Sequence, residues 1–363
     1  VTPAETALRA LVAGLRGSLP DPGLWMPVLE AANRCWLVPE LRVALARSGA
    51  LAGAPEDVRA YLDFLHAGNV ERNRRLRAQL DEAVSALCRA GIEPTLLKGA
   101  AELASAPGDR AGARMMCDLD LLVPPDRAED ATSCLLALGY EVLERGAPGR
   151  HDHATLGRAA DAGTLDLHRR PPGPARFTAD PALSAGATRV RCGDGTAALP
   201  SPTARALHLL VHDQIVEGDH WLGRIDLRHM HDLARLAALP GGLDWDLLAR
   251  AMGRGPGRAA LGTEAAGLAD LFGVEAPGGL GRDGAARLRH RRRLFQLGRP
   301  RLSMPLRLAG RAAWVLVRRR AKGEEARRLD LRLRDFAARA MRCLRRGPRA
   351  VLPALAGPPR PKL

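Results

Sequence analysis

Asp118 and Asp120 stand two residues apart inside RMMCDLDLLVP, residues 114–124. An apolar run of that texture reads as a buried strand. Side chains along a strand alternate faces, so Asp118, Asp120 and Leu122 share one face while Leu119, Leu121 and Val123 share the other. Two carboxylates on a half-buried face, roughly 6.5 to 7 Å apart at that spacing, repel unless a cation, a basic partner or water compensates them. Phosphoryl chemistry on divalent ions is one use of such a pair, and it commonly asks for a third acid on a neighbouring strand. Asp166, in GTLDLHRR between Leu165 and Leu167, meets that demand.

A second constellation precedes the acids. Lys98-Gly99 falls between a short apolar strand and a helix in EPTLLKGAAELA, where backbone N–H groups and the helix dipole attract anions and glycine permits close approach. Lys98 is the sole lysine in the first 321 residues of a chain with 55 Lys and Arg. A compact ammonium suits a phosphate site, although three lysines must fall somewhere and chance accounts for the position equally well. His208 and His212 have the i, i+4 spacing of zinc ligands, but Leu209 follows His208 where a zinc protease motif has glutamate, so a structural role outweighs a metal one. His168 shares a face with Asp166 and reads equally as a substrate-orienting or a structural histidine. Asp232 reads first as a solvated helix-surface acid, with contact to an Arg or to nucleotide as the alternative.

The elements that would position these residues follow from periodicity. Residues 1–90 repeat apolar positions at three and four, which predicts a helical region ending near Gly91. Residues 91–172 predict an α/β unit: a strand, the Lys98 turn and a helix, the acidic strand ended by Pro124, an amphipathic helix stopped by Gly139, a strand at YEVLE, and a hairpin turning near Ala162-Gly163. The Pro/Gly-rich stretch 173–200 predicts a linker or long loop. Ser201 and Pro202 open a helical module over 201–280, and 281–363 is an Arg-rich C-terminal region.

Composition narrows the classes. Residues 281–363 carry 25 Arg and Lys against 5 acids, whereas 1–280 carry 30 against 35, so the net +15 belongs to a basic tail on a mildly acidic body. That tail reads equally as a polyanion-binding element or as solvated amphipathic helices. Only 3% aromatic residues leave few platforms for stacking bases. Six scattered cysteines without a C-x-x-C pair argue against zinc ribbons and for a reducing cytoplasm. Neither a secretory leader nor a transmembrane segment is expected.

On the acids alone, four readings stand: the polar face of an edge strand, a haloacid-dehalogenase phosphatase, a glycosyltransferase and a metal-dependent nucleotidyltransferase. Leu121-Leu122 replaces the Gly and Thr of the phosphatase loop, and the helical first 90 residues do not suit a glycosyltransferase. From about Leu96 to about residue 260, the succession LLKGAAELA, ARMMCDLDLLVPPDRAEDATSCLLALGYE, TLDLHRR, ALHLLVHD and WLGRIDLRHMHDLARL resembles poorly characterised bacterial nucleotidyltransferases of the polymerase-β-like superfamily. The resemblance implies an α+β fold, a polymerase-β-like core of mixed sheet and helices over 91–172 with helical flanks. It implies Asp118, Asp120 and Asp166 as catalytic ligands of Mg²⁺ or Mn²⁺. It also implies Lys98, Gly99, Arg114 and His168 as nucleotide-binding residues. The wider superfamily has Gly-Ser or Gly-Gly where this chain has Lys98-Gly99. The implied reaction transfers a nucleoside monophosphate from an NTP, with ATP expected, to an unidentified small molecule, protein or RNA, releasing pyrophosphate. The alternative is an inactive protein of the same fold that binds nucleic acid or regulates.

Overall fold

Helices open the chain. In the computed structural model, which describes residues 1–106, 108–147 and 151–321, α1 (Pro3–Leu15) begins at Thr2, whose side chain accepts the Glu5 N–H, with Pro3 at the first helical position. Next come α2 (Trp25–Arg34), α3 (Val38–Arg47) and α4 (Glu56–Arg89). At 34 residues α4 spans about 50 Å. It ends in a Schellman motif: Gly91, at φ +72°, allows the Ile92 N–H to reach the Leu87 carbonyl at 2.9 Å.

The sheet follows, from β1 (Thr95–Leu96), α5 (Lys98–Ser105), β2 (Asp118–Leu122), α6 (Ala128–Leu136), β3 (Glu141–Arg145), β4 (Asp152–Gly157) and β5 (Thr164–His168). After α7 (Ala182–Ala185), β6 (Thr188–Cys192) and β7 (Gly195–Leu199) complete it. The seven strands lie in the order β3-β4-β5-β2-β1-β7-β6. β2 runs parallel to β5, and β1 runs antiparallel to β2 and parallel to β7. The stretch 173–200, expected as a linker, therefore supplies two strands. β7 is the inner one, and the Ala198 N–H bonds to the Pro94 carbonyl at 2.9 Å, beside β1.

Past Ser201, which caps α8 (Pro202–Leu210) by accepting the Ala204 N–H at 3.2 Å, the chain widens into a π turn over Val211–Val216. It continues through α9 (Asp219–Leu222), α10 (Leu227–Ala237), α11 (Trp245–Met252), α12 (Pro256–Gly267), a second π turn over Leu268–Phe272, and α13 (Gly284–Gly298).

Two apolar cores underlie the first 304 residues. One gathers α1–α3, the start of α4, α8 and α10–α12, so the segments 1–90 and 201–280 are not separate modules but share one interior. The other lies between the sheet and the C-terminal half of α4 with α6: Leu119, Leu121, Leu165 and Leu167 are completely buried there against residues such as Leu80, Val84 and Leu135. The odd-numbered residues of β2 and β5 face this core, which leaves the even-numbered acids on the opposite face.

The basic region also needs a new boundary. α13 packs on α12 and α1, and its Arg293 is 1% exposed, donating to Glu264 at 2.8 Å. Residues 281–304 thus belong to the body, while residues from Pro305 form a second unit. Its described part is mainly the helix α14 (Met304–Ala321); residues 322–363, about half of the expected polyanion-binding stretch, lie outside the described residues. Among the described residues no helix is long and apolar enough to cross a membrane.

Candidate functional site

β2 and β5 pair in register with Asp120 opposite Asp166 and Asp118 opposite Thr164. Adjacent parallel strands in this register present Asp118, Asp120, Asp166 and His168 on one face. Asp120 is 1% exposed, which makes its compensation obligatory. It comes from two side chains: Lys98 Nζ donates to Asp120 Oδ1 at 2.6 Å, and His168 Nε2 meets the same oxygen at 2.8 Å. Burial alone would raise the Asp120 pKa, but Lys98 and His168 outweigh it and hold the carboxylate well below its usual range. Lys98 shows the reciprocal effect. Burial pushes its pKa down, and the charges of Asp120, Asp118 and Asp166 carry it above the ordinary lysine value.

Asp166 is driven the other way. Burial, then the charges of Asp120 and Asp118, raise its pKa. Its Oδ1 is buried without a hydrogen-bond partner among the described residues, as is His168 Nδ1. The His168 ring stacks on His151, with centroids 5.5 Å apart and planes 2° from parallel.

Local structure accounts for the placement of Lys98. It is the first residue of α5 and has φ +41°, in the left-handed region, a conformation that costs a non-glycine residue about 1–3 kcal/mol and persists where surroundings fix it. The bond to Asp120 is one such restraint. At Gly99 the missing side chain serves packing: a Cβ there would lie 3.3 Å from Met116 Sδ and 3.8 Å from the Asp118 carbonyl oxygen, so glycine lets α5 sit close on β2.

Arg114 does not join the acids. It is buried and forms an ion pair with Asp232 of α10, so Asp232 is a buried partner rather than a solvated helix acid. The segment leading into β2 is held by polar side chains of α4. Asn69 Nδ2 donates to the Gly112 and Arg114 carbonyls at 2.7 and 3.0 Å, Asn73 Nδ2 to the Ala111 and Arg114 carbonyls at 2.7 and 3.0 Å, and Arg72 Nε to the Met116 carbonyl at 2.8 Å. Arg110 adds a buried pair with Glu40 of α3 at 2.6 Å.

Beside Lys98 a cavity of about 270 Å³ opens between α5, α8, α10 and the β7 end of the sheet. Its charged lining is Lys98, Arg114, Arg205 and Arg235 against Glu102 and Asp232. Glu102 accepts from Arg235 at 2.6 Å and from Arg205 at 2.9 Å. With Lys98 paired to Asp120, three arginines against two carboxylates leave the cavity suited to an anion. His208 lines it too; burial, with Lys98 and His168 nearby, pushes its pKa down to about 4. Glu102, Arg205 and Arg235 escape sequence reasoning, because salt-bridge partners about 100 residues apart leave no local pattern.

His208 and His212 do not form a pair facing one ligand. His212 turns to Asp213 and His229 in a separate cluster. Among the described residues, this is the one group of three His, Cys, Asp or Glu side chains whose ligand atoms all lie within 4.8 Å of one another. The carboxylates of Asp118, Asp120 and Asp166 are not drawn together to that degree, with Lys98 serving as the cation on Asp120.

The segment 21–262 matches the model of a family described as an uncharacterised nucleotidyltransferase. The chain belongs to this nucleotidyltransferase family. The match runs from α2 into the first half of α12, hence over the acidic face, the cavity and the helices around both. No curated protein and no solved structure matches the chain.

Proposed function

We propose that this nucleotidyltransferase moves a nucleoside monophosphate from an NTP, ATP being the expected donor, to an acceptor nucleophile with release of pyrophosphate, on a polymerase-β-like core. The observation that carries this reading is the shared face of β2 and β5, where three acids stand beside a cavity rich in arginine and reached by Lys98. The donor set fits a hard divalent ion such as Mg²⁺ or Mn²⁺, since it is all carboxylate oxygen and Asp166 Oδ1 is buried with no partner. Asp118, Asp120 and Asp166 would hold it, and the ion would supply charge stabilisation to the phosphoryl oxygens.

The chain's own groups do the rest. Arg114, Arg205 and Arg235 give the cavity its positive potential for the triphosphate. Lys98 is the mobile counter-charge: it neutralises Asp120 when no other cation is there, and it can turn its ammonium to phosphate once Asp120 has another partner. His168 fixes the Asp120 carboxylate. Asp166, opposite Asp120 on the neighbouring strand, is placed to take the acceptor proton.

Incubation with α-labelled NTPs, divalent ion and cell extract tests this. The expected result is transfer of label to an acceptor, lost in Asp118→Asn. Absence of label transfer and of pyrophosphate release from all four NTPs, with either Mg²⁺ or Mn²⁺, would instead favour the inactive, regulatory reading.

A further inference from the structure

At the end of α8 the helix widens over Val211–Val216, and single π turns within helices recur at functional sites. Here the wide turn carries His212 and Asp213 against the first turn of α10. Asp213 Oδ1 lies 2.9 Å from His212 Nδ1, and its two oxygens lie 2.9 and 2.8 Å from His229 Nδ1. The three donor groups lie within 4.8 Å of one another. Asp213 and His229 are 8% and 6% exposed, whereas His212 is 25% exposed and leaves a way in.

Carboxylates surround the cluster, and their partners differ. Asp219 and Glu264 have guanidinium partners in Arg224 and Arg293, at 2.6 and 2.8 Å. Asp213 meets imidazoles. Asp226 caps α10 by accepting the His229 N–H at 3.0 Å and places Oδ2 3.5 Å from His229 Nδ1. Asp213 and Asp226 thus bring two carboxylates to His229 Nδ1, while Arg228 stands at the far nitrogen, 3.5 Å from Nε2.

We propose that His212, Asp213 and His229 form a transition-metal site, separate from the acidic face of the sheet, that takes Zn²⁺ or a similar borderline ion and clamps the end of α8 to the start of α10. Two imidazoles and a carboxylate are a donor set for zinc rather than for magnesium. The clamp would matter to the cavity, because α8 carries Arg205 and His208 and α10 carries Asp232 and Arg235. It does not depend on the reaction proposed above.

The test is titration of the chelator-treated full chain with Co²⁺, reading ligand-field absorption in the visible, then displacement with Zn²⁺. One equivalent of absorbing Co²⁺ is expected, displaced by Zn²⁺ and retained in Asp118→Asn. His229→Gln and His212→Asn should each weaken binding beyond the roughly 10–100-fold that loss of an outer partner costs. His212→Asn, at the most exposed position, keeps the test clear of misfolding, which far-ultraviolet circular dichroism checks. Absence of visible bands in the wild type, or bands that persist in His212→Asn and vanish in Asp118→Asn, would overturn the site.

Discussion

Asp120 and Asp166 face each other across two strands, yet substitution to asparagine should have opposite effects on stability. Asp120 is a buried anion with two partners, so Asp120→Asn strands the Lys98 ammonium and should cost about 3–5 kcal/mol. Asp166 is the acid that its neighbours repel. Asp166→Asn removes that repulsion, and without divalent ion it should melt at or above the wild-type temperature while losing nucleotidyl transfer, a trade expected where function holds charges together. A divalent-free melt of both variants near pH 7.5 checks the pair; equal destabilisation would refute it. Lys98→Ala should destabilise as Asp120→Asn does, because the turn is not open to solvent: the side chain is 19% exposed. His208 supplies the pH test. With a pKa near 4 against 6.5 for a free imidazole, it is protonated first in the unfolded chain as pH falls. Its contribution is complete above about pH 6.5 and is lost toward pH 4, amounting to about 1–3 kcal/mol. Denaturant midpoints between pH 4.5 and 7 should therefore rise less steeply in His208→Gln than in the wild type.

At the scale of elements, legibility depended on whether a pattern was local. The acidic strand was readable because period-two alternation put Leu119 and Leu121 in the core and the aspartates opposite them. The Lys98 turn and the Ser201 cap were readable from residue type alone. β6 and β7 were not: Val190 and Cys192 do alternate with Arg189 and Arg191, but over only five residues inside a Pro/Gly-rich stretch, and the exposed arginines are the charge that guards an edge strand against stray pairing. A cue was present nonetheless: Cys192 pairs with Gly195 around Gly193-Asp194, a two-residue hairpin turn with Gly193 at φ +59°. The supporting face of α4 was illegible for another reason. Asn69 and Asn73 interrupt an amphipathic stripe and look like solvated positions, yet they are 4% and 3% exposed and hold the backbone leading to β2. Asn73→Ala would leave the Ala111 carbonyl without that donor, at about 1–3 kcal/mol. It should also lower both turnover and nucleotide affinity, because the segment that Asn73 holds carries Arg114 of the cavity as well as leading to the acids. Chemical denaturation and steady-state kinetics read the two effects separately.

For the whole molecule, the question is where the body stops and the basic region starts. Charge alone placed that boundary at 281, but α13 contributes Leu294, Arg293 and Gln296 to the interior. Gln296 Nε2 donates to the Leu222 and Gly223 carbonyls at 2.7 and 3.1 Å, closing the turn after α9. A chain cut after 280 therefore leaves Glu264 buried without its arginine, a loss of about 3–5 kcal/mol before any lost apolar packing, against a typical total of about 5–15. Such a chain should be largely unfolded, and its failure to bind polyanions would say nothing about the tail. A chain cut after Met304 keeps the body with α13 and removes 17 Arg and Lys against 4 acids. It should melt within a few degrees of the full chain and bind an NTP equally well. If the removed arginines neutralise phosphates, the full chain should bind RNA or DNA with an affinity that falls steeply with salt, and the shortened chain should lose most of both the affinity and the slope. A polyanion affinity that survives the cut unchanged would assign the contact to the body, where the arginines lining the cavity would be the next to substitute.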